Sequence, residues 1–92
     1  LSLENISNKF IGKNDLVITN GNVNPIMLYF SNRKGWSLPE SMMNSNDLKS
    51  YVQAGAKFII INKRLTSQPT LESLMSEHLK LYEDEYFIIY KT

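Results

Sequence analysis

The chain contains no cysteine, one histidine and one tryptophan in 92 residues. Without thiols it has no disulfide, no thiolate metal site and no cysteine nucleophile. A lone His78 supports neither a histidine-rich metal site nor a hydrolytic triad of the ordinary kind. Charge of one sign is also lacking. The net charge is +1, so no strong field draws the chain as a whole to nucleic acid or anionic lipid, and the basic pairs Arg33-Lys34 and Lys63-Arg64 do not make a binding stripe. No apolar run approaches the ~18–20 residues needed to span a bilayer, and no signal peptide is visible. The four glycines, at 12, 21, 35 and 55, form neither a dinucleotide fingerprint nor a phosphate loop.

What is present is the composition of a globular chain. With 42% hydrophobic and 21% charged residues it lies outside the disordered class. Residues 1–92 make one domain, large enough to bury about two-thirds of the surface of the open chain. Short apolar runs alternate with amphipathic stretches. Leu3, Ile6 and Phe10 share one helical face in a segment ending near Ile11. Leu16-Val17-Ile18 is a continuous apolar run suited to a strand covered on both sides. Asn24 to Lys34 reads as a second helix in preference to a strand, because both of its ends carry helix signals although Ile26, Leu28, Tyr29 and Phe30 also suit a strand. Trp36-Ser37-Leu38 reads as a short extended piece stopped by Pro39. Ser45 or Asn46 caps a third helix that ends at Ala54-Gly55-Ala56. Phe58-Ile59-Ile60-Ile61 is the clearest strand. A fourth helix follows Pro69, with Leu71, Leu74, Met75, His78, Leu79 and Tyr82 on its inner stripe, and Phe87-Ile88-Ile89 is the last doubly buried run. This alternation predicts an α/β fold: a small three-layer sandwich, with a three- or four-stranded, mostly parallel sheet and helices on both faces.

The stretch from Asn24 to Trp36 stands out. Asn24 and Pro25 are helix-start residues, five apolar residues follow, and Arg33-Lys34-Gly35-Trp36 closes the segment. Gly35 suits the left-handed residue that ends a helix, with Arg33 and Lys34 beside the negative end of its dipole. A guanidinium, an ammonium and an indole close together would hold a phosphate or a sugar. On the same residues, Arg33 and Lys34 would simply finish a helix while Trp36 pins it to the sheet. Elsewhere, Asn20 to Asn24 follows a strand and precedes a helix, a place where open α/β sheets receive anions. That pattern carries the alternative expectation of a stand-alone flavodoxin-like or half-Rossmann module for a small anionic ligand. No pair of carboxylates can be set at acid–base distance from spacing alone, so no catalytic residue is assigned. No metal ligand and no cofactor is expected either.

In order along the chain, Pro25, Leu28-Tyr29-Phe30, Asn32-Arg33-Lys34-Gly35-Trp36, Gly55-Ala56-Lys57-Phe58 and Tyr86-Phe87-Ile88-Ile89-Tyr90 resemble the soluble C-terminal portion of bacterial membrane glycosyltransferases. These are relatives of the dolichyl-phosphate-mannose–protein mannosyltransferases and of the enzyme that moves aminoarabinose onto lipid A. The resemblance runs from about Asp15 to Tyr90, and the Arg-Lys-Gly-Trp element is its most specific part. It implies an extracytoplasmic domain, excised from a polytopic membrane protein, on the outer face of a bacterial membrane. The start at Leu1 rather than methionine fits that expectation. The parent would transfer a sugar from a polyprenyl-phosphate carrier to a protein or lipid acceptor. The family's catalytic acid belongs to a membrane loop that no position here matches, so this domain would be accessory. Its expected partners are the membrane-embedded part of the same chain and the carrier or a glycan acceptor, with no nucleic acid. The expected binding residues are Tyr29, Asn32, Arg33, Lys34 and Trp36.

Overall fold

A computed structural model describes residues 2–21 and 26–92. The order of elements is α1 (Leu3–Phe10), β1 (Leu16–Thr19), α2 (Ile26–Ser31), β2 (Gly35–Ser37), α3 (Ser45–Gln53), β3 (Ala56–Asn62), α4 (Gln68–Glu77), β4 (Leu79–Glu83) and β5 (Phe87–Lys91). Single 3-10 turns occupy Glu40–Met42 and Lys63–Leu65. The fold is mixed α/β, with a five-stranded sheet ordered β2-β1-β3-β5-β4.

The three apolar runs named from the sequence lie side by side as β1, β3 and β5. Their burial on both faces explains the runs. Ile18, Ile59, Ile61, Ile88 and Tyr90 face one way, into a cluster with Leu48 of α3 and Leu74 of α4. Val17, Ile60 and Ile89 face the other way, into a cluster with Leu3 and Ile6 of α1 and Met27 of α2. Successive strand residues point to opposite faces, so a strand with helices on both sides needs apolar residues at every position.

The expected parallel sheet is corrected. β1 pairs in parallel with β2 and β3, but β5 runs antiparallel to both β3 and β4. The sheet is therefore mixed and has five strands rather than three or four. The source of the difference is β4. Its residues were expected to extend the fourth helix, because Leu74, His78 and Tyr82 recur at steps of four. The helix instead stops at Glu77, and His78 turns extended (φ −131°, ψ 148°). Leu79 to Glu83 then pairs with β5. Glu83-Asp84-Glu85 forms the hairpin turn, in which Asp84 Oδ1 accepts from the amides of Tyr86 and Phe87, both at 2.7 Å. Met75 and Leu79, expected to face inward, are exposed.

Two helix ends also differ from expectation. The cap of α3 is Asn44, whose side chain accepts from the Asp47 amide at 3.0 Å, one residue before the caps read from the sequence. Helix α2 ends at Ser31, and the left-handed residue after it is Asn32 (φ 55°) rather than Gly35. Asn24 and Pro25, the expected start of α2, lie outside the described residues. Gly35 lies in β2 instead. An added Cβ there would overlap the Val17 carbonyl oxygen and stand 2.7 Å from its amide nitrogen. Glycine is needed for this close approach of two backbones, at a φ of 151° that side chains rarely adopt.

Candidate functional site

Helix α2 places its residues by simple periodicity. Met27 and Ser31, four apart, turn inward and are buried. Tyr29 and Phe30 therefore turn outward and are 80% and 58% exposed. Their rings meet edge to face, with centroids 5.5 Å apart. Beyond α2 the chain reverses at Asn32, returns through Arg33 and Lys34, and enters β2.

A cleft of about 600 Å³ opens on this corner, between α1, α2 and the segment that leads into β1. Tyr29, Asn32, Arg33 and Lys34 line it, joined by Leu28, Phe30, Glu4 and Lys13. Four of the five residues singled out from the sequence thus share one site. Trp36 does not join them. It sits opposite Ile18 across the β1–β2 pair and packs into the cluster on the α3–α4 side. There its ring meets Tyr51 edge to face at 5.5 Å. The indole does pin its strand to the core, as the plainer of the two sequence readings has it.

Arg33 forms the wall of the cleft rather than its open surface, since only 5% of it is exposed. One terminal nitrogen donates to the carbonyls of Ser31 (3.2 Å) and Asn32 (3.0 Å). The other donates to the Ile11 carbonyl (2.7 Å) and Asn8 Oδ1 (2.9 Å). Three of these acceptors are carbonyls at the exits of α1 and α2. Helix C-termini carry partial negative charge, so two of them compensate the cation where a carboxylate would otherwise be needed. Among the described residues no carboxylate forms an ion pair with Arg33, and its buried Nε has no partner. Lys34 and Lys13 stand exposed on the same cleft. The one carboxylate in the lining, Glu4, accepts from Asn32 Nδ2 at 3.0 Å. The cleft therefore joins a cationic floor to a pair of exposed rings.

Sequence reasoning missed Lys13, Phe30 and Glu4. Phe30 was legible, because the inward pair Met27 and Ser31 dictates which residues of α2 face out. Lys13 had no local signal: it arrives from the loop after α1, some twenty residues before the motif.

Other polar groups serve the fold. Asn20, at the strand end where an anion was the alternative expectation, is buried. Its Oδ1 accepts from the Asn62 amide at 2.9 Å, while Nδ2 donates to the Asn62 carbonyl and to Thr66 Oγ1. Its carboxamide thereby ties the end of β1 to the end of β3. The rest of that segment, residues 22–24, lies outside the described residues. A second cleft, near Glu40 and Ser73, centres on a carboxylate already engaged. Glu40 Oε2 accepts from the amide and hydroxyl of Ser67 and from Thr70 Oγ1, and so caps the start of α4 from a distant loop. Those bonds, the Ser67 hydroxyl first, hold its pKa below the ordinary value. Lys63 and Arg64 pair with Glu83 and Glu85, and Arg64 also lies over the Tyr86 ring. The His78 ring stands 6.5 Å from that of Tyr90, with no hydrogen-bond partner on either nitrogen. Among the described residues no group of histidine and acidic side chains is arranged for a metal ion. No described helix is long and apolar enough to cross a membrane.

Comparison with known proteins returns no match to a protein family, a curated protein or a solved structure.

Proposed function

We propose that this chain is the accessory extracytoplasmic domain of a polytopic membrane glycosyltransferase. In this reading its α1–α2 cleft receives the phosphate–sugar head of a polyprenyl-phosphate carrier. One observation carries the reading: four residues of the glycosyltransferase-like segment, Tyr29, Asn32, Arg33 and Lys34, converge on one cationic cleft edged by exposed rings. A phosphate needs cationic donors, and a sugar ring needs a flat apolar face. Lys13 and Lys34 supply the first at the surface, with Arg33 in the wall behind them. Tyr29 and Phe30 supply the second. The transfer step itself belongs to the membrane part of the parent, and this domain's share is to hold and orient.

The test is titration of the 92-residue chain with a water-soluble short-prenyl phosphate mannose, followed by amide NMR. Shifts confined to residues 13 and 28–34, weakened at least tenfold by Lys13→Ala with Lys34→Ala, are expected. Shifts that ignore those substitutions, or none at millimolar ligand, would overturn the proposal. In a full-length parent, Tyr29→Ala with Lys34→Ala should lower sugar transfer while the isolated domain melts as before.

A further inference from the structure

Four exposed lysines of this nearly neutral chain gather at one end of the sheet. Lys13 precedes β1, Lys34 precedes β2, Lys57 is the second residue of β3, and Lys91 closes the antiparallel β5 opposite Phe58. All four are exposed, and strand direction puts all four at one end of the sheet. At the opposite end, where Asn62 pairs with Phe87, Glu83, Asp84 and Glu85 turn the chain, and the cations there, Lys63 and Arg64, are paired with Glu83 and Glu85. Carboxylates lie toward the cationic end too: Glu4, Asp15 and Glu77. Glu77 stands two residues before Leu79, which pairs with Lys91, and accepts from the Ser45 hydroxyl. Glu4 is bonded to Asn32, and Asp15 accepts from the Gly12 amide. The exit of α2 presents Tyr29 and Phe30 at this same end, on the cleft they share with Lys13 and Lys34.

We infer that this end of the molecule seats on an anionic lipid bilayer, with the Tyr29–Phe30 wedge entering the headgroup layer and the surrounding lysines meeting lipid phosphates. The size and composition of the patch favour a membrane over a protein. A helix of six residues spans about 9 Å, so its outer face offers far less than the ~800 Å² per partner that a stable protein interface buries. The cores of such interfaces are also depleted of lysine. Aromatic side chains beside lysines match the water–lipid boundary, where tyrosine keeps its hydroxyl wet and its ring among the upper acyl carbons. Two rings and a few cations bind weakly alone, so the seat is to be sought at high lipid concentration. The seat goes beyond the proposed function and does not depend on what fills the cleft.

The experiment is co-sedimentation of the 92-residue chain with vesicles at millimolar lipid, comparing phosphatidylcholine with phosphatidylcholine containing phosphatidylglycerol. Binding to the anionic vesicles only, released by high salt, is expected. Lys13→Glu with Lys34→Glu should weaken it roughly tenfold or more, as should Tyr29→Ser with Phe30→Ser. All four side chains are exposed, and an unchanged melt checks that each variant folds. Glu85→Lys, which adds positive charge at the far end, should leave binding unchanged. Absence of binding to anionic vesicles overturns the inference. So does a gain from Glu85→Lys equal to the loss at Lys34, which would mean that net charge alone decides. A dimer in sedimentation velocity that Phe30→Ser dissolves would assign the face to a second copy instead. Vesicle binding without binding of the prenyl phosphate mannose removes the proposed function and leaves the seat; the reverse result removes the seat alone.

Discussion

The guanidinium of Arg33 donates to the carbonyl of Ile11 at 2.7 Å, and so fastens the exit of α1 to the exit of α2. With its bonds to Ser31 and Asn32 it is a shared cap for two helices. Removing it takes a donor from two buried carbonyls, those of Ser31 and Ile11. Arg33→Ala should therefore destabilise the chain by about 3 kcal/mol, and Arg33→Lys by nearly as much, because an ammonium cannot reproduce the fork. Urea unfolding measures both. Loss of ligand affinity with full stability would contradict this role.

Gly35→Ala should be worse than any other glycine substitution in the described chain. The new methyl would meet the Val17 backbone, which cannot move without breaking the β1–β2 pair. A loss of at least about 3 kcal/mol is expected. Gly12→Ala is the control. There the nearest atom is the carboxylate of Asp15, the far end of a flexible side chain, so the loss should stay below about 1 kcal/mol.

Trp36→Ala should weaken the fold rather than the cleft. The indole packs against Tyr51 on the opposite face of the sheet from Arg33. About 2–3 kcal/mol should be lost on thermal or chemical unfolding, somewhat less than for a fully buried ring. Affinity for the prenyl phosphate mannose should stay within about twofold when measured well below the melting temperature.

Stability should fall in acid, beginning near the ordinary carboxylate values. Glu40 is held below the ordinary glutamate value by bonds from Ser67 and Thr70, and Glu83 likewise by bonds from Lys63 and Lys80. Burial works to raise Asp84, but bonds from the Tyr82 hydroxyl and the Phe87 and Tyr86 amides outweigh it and hold its pKa below the ordinary aspartate value. A carboxyl with a depressed folded pKa stabilises the fold above its unfolded value. That contribution is lost as pH falls through the folded value. The melting temperature should be level from pH 7 to about 5 and drop below about 4.5. Glu40→Gln should lower the plateau and shrink the drop. A drop unchanged by this substitution would place the acid sensitivity elsewhere.

The parts of this fold legible in the sequence are those whose signal is local. The apolar runs at 16–18, 58–61 and 87–89 are doubly buried strands, because unbroken hydrophobicity has few other uses at that length. The start of α1 follows from the spacing of Leu3, Ile6 and Phe10. Strand β4 was illegible because Leu74, His78 and Tyr82 satisfy a helical period, whereas the open edge of β5 that captures residues 79–83 is a tertiary fact. At the site, Tyr29, Asn32 and Lys34 sit where a compact polar tip would put them. Arg33 looked like a surface cation. Its burial depends on α1 arriving from the far end of the sequence with two acceptors, and no spacing within residues 24–36 encodes that.

Strand β5 lies between β3 and β4, although it follows both in the chain. The sheet is thus assembled out of sequence order. Until the ribosome has delivered Phe87 to Lys91, β3 shows a bare rim of unpaired amides and β4 has nothing to join. A nascent chain ending at the Asp84 turn would expose the Ile59–Ile61 ridge to any neighbouring polypeptide. The most hazardous moment in this molecule's life therefore falls in the last few peptide bonds of its sheet, when chaperone binding would matter most.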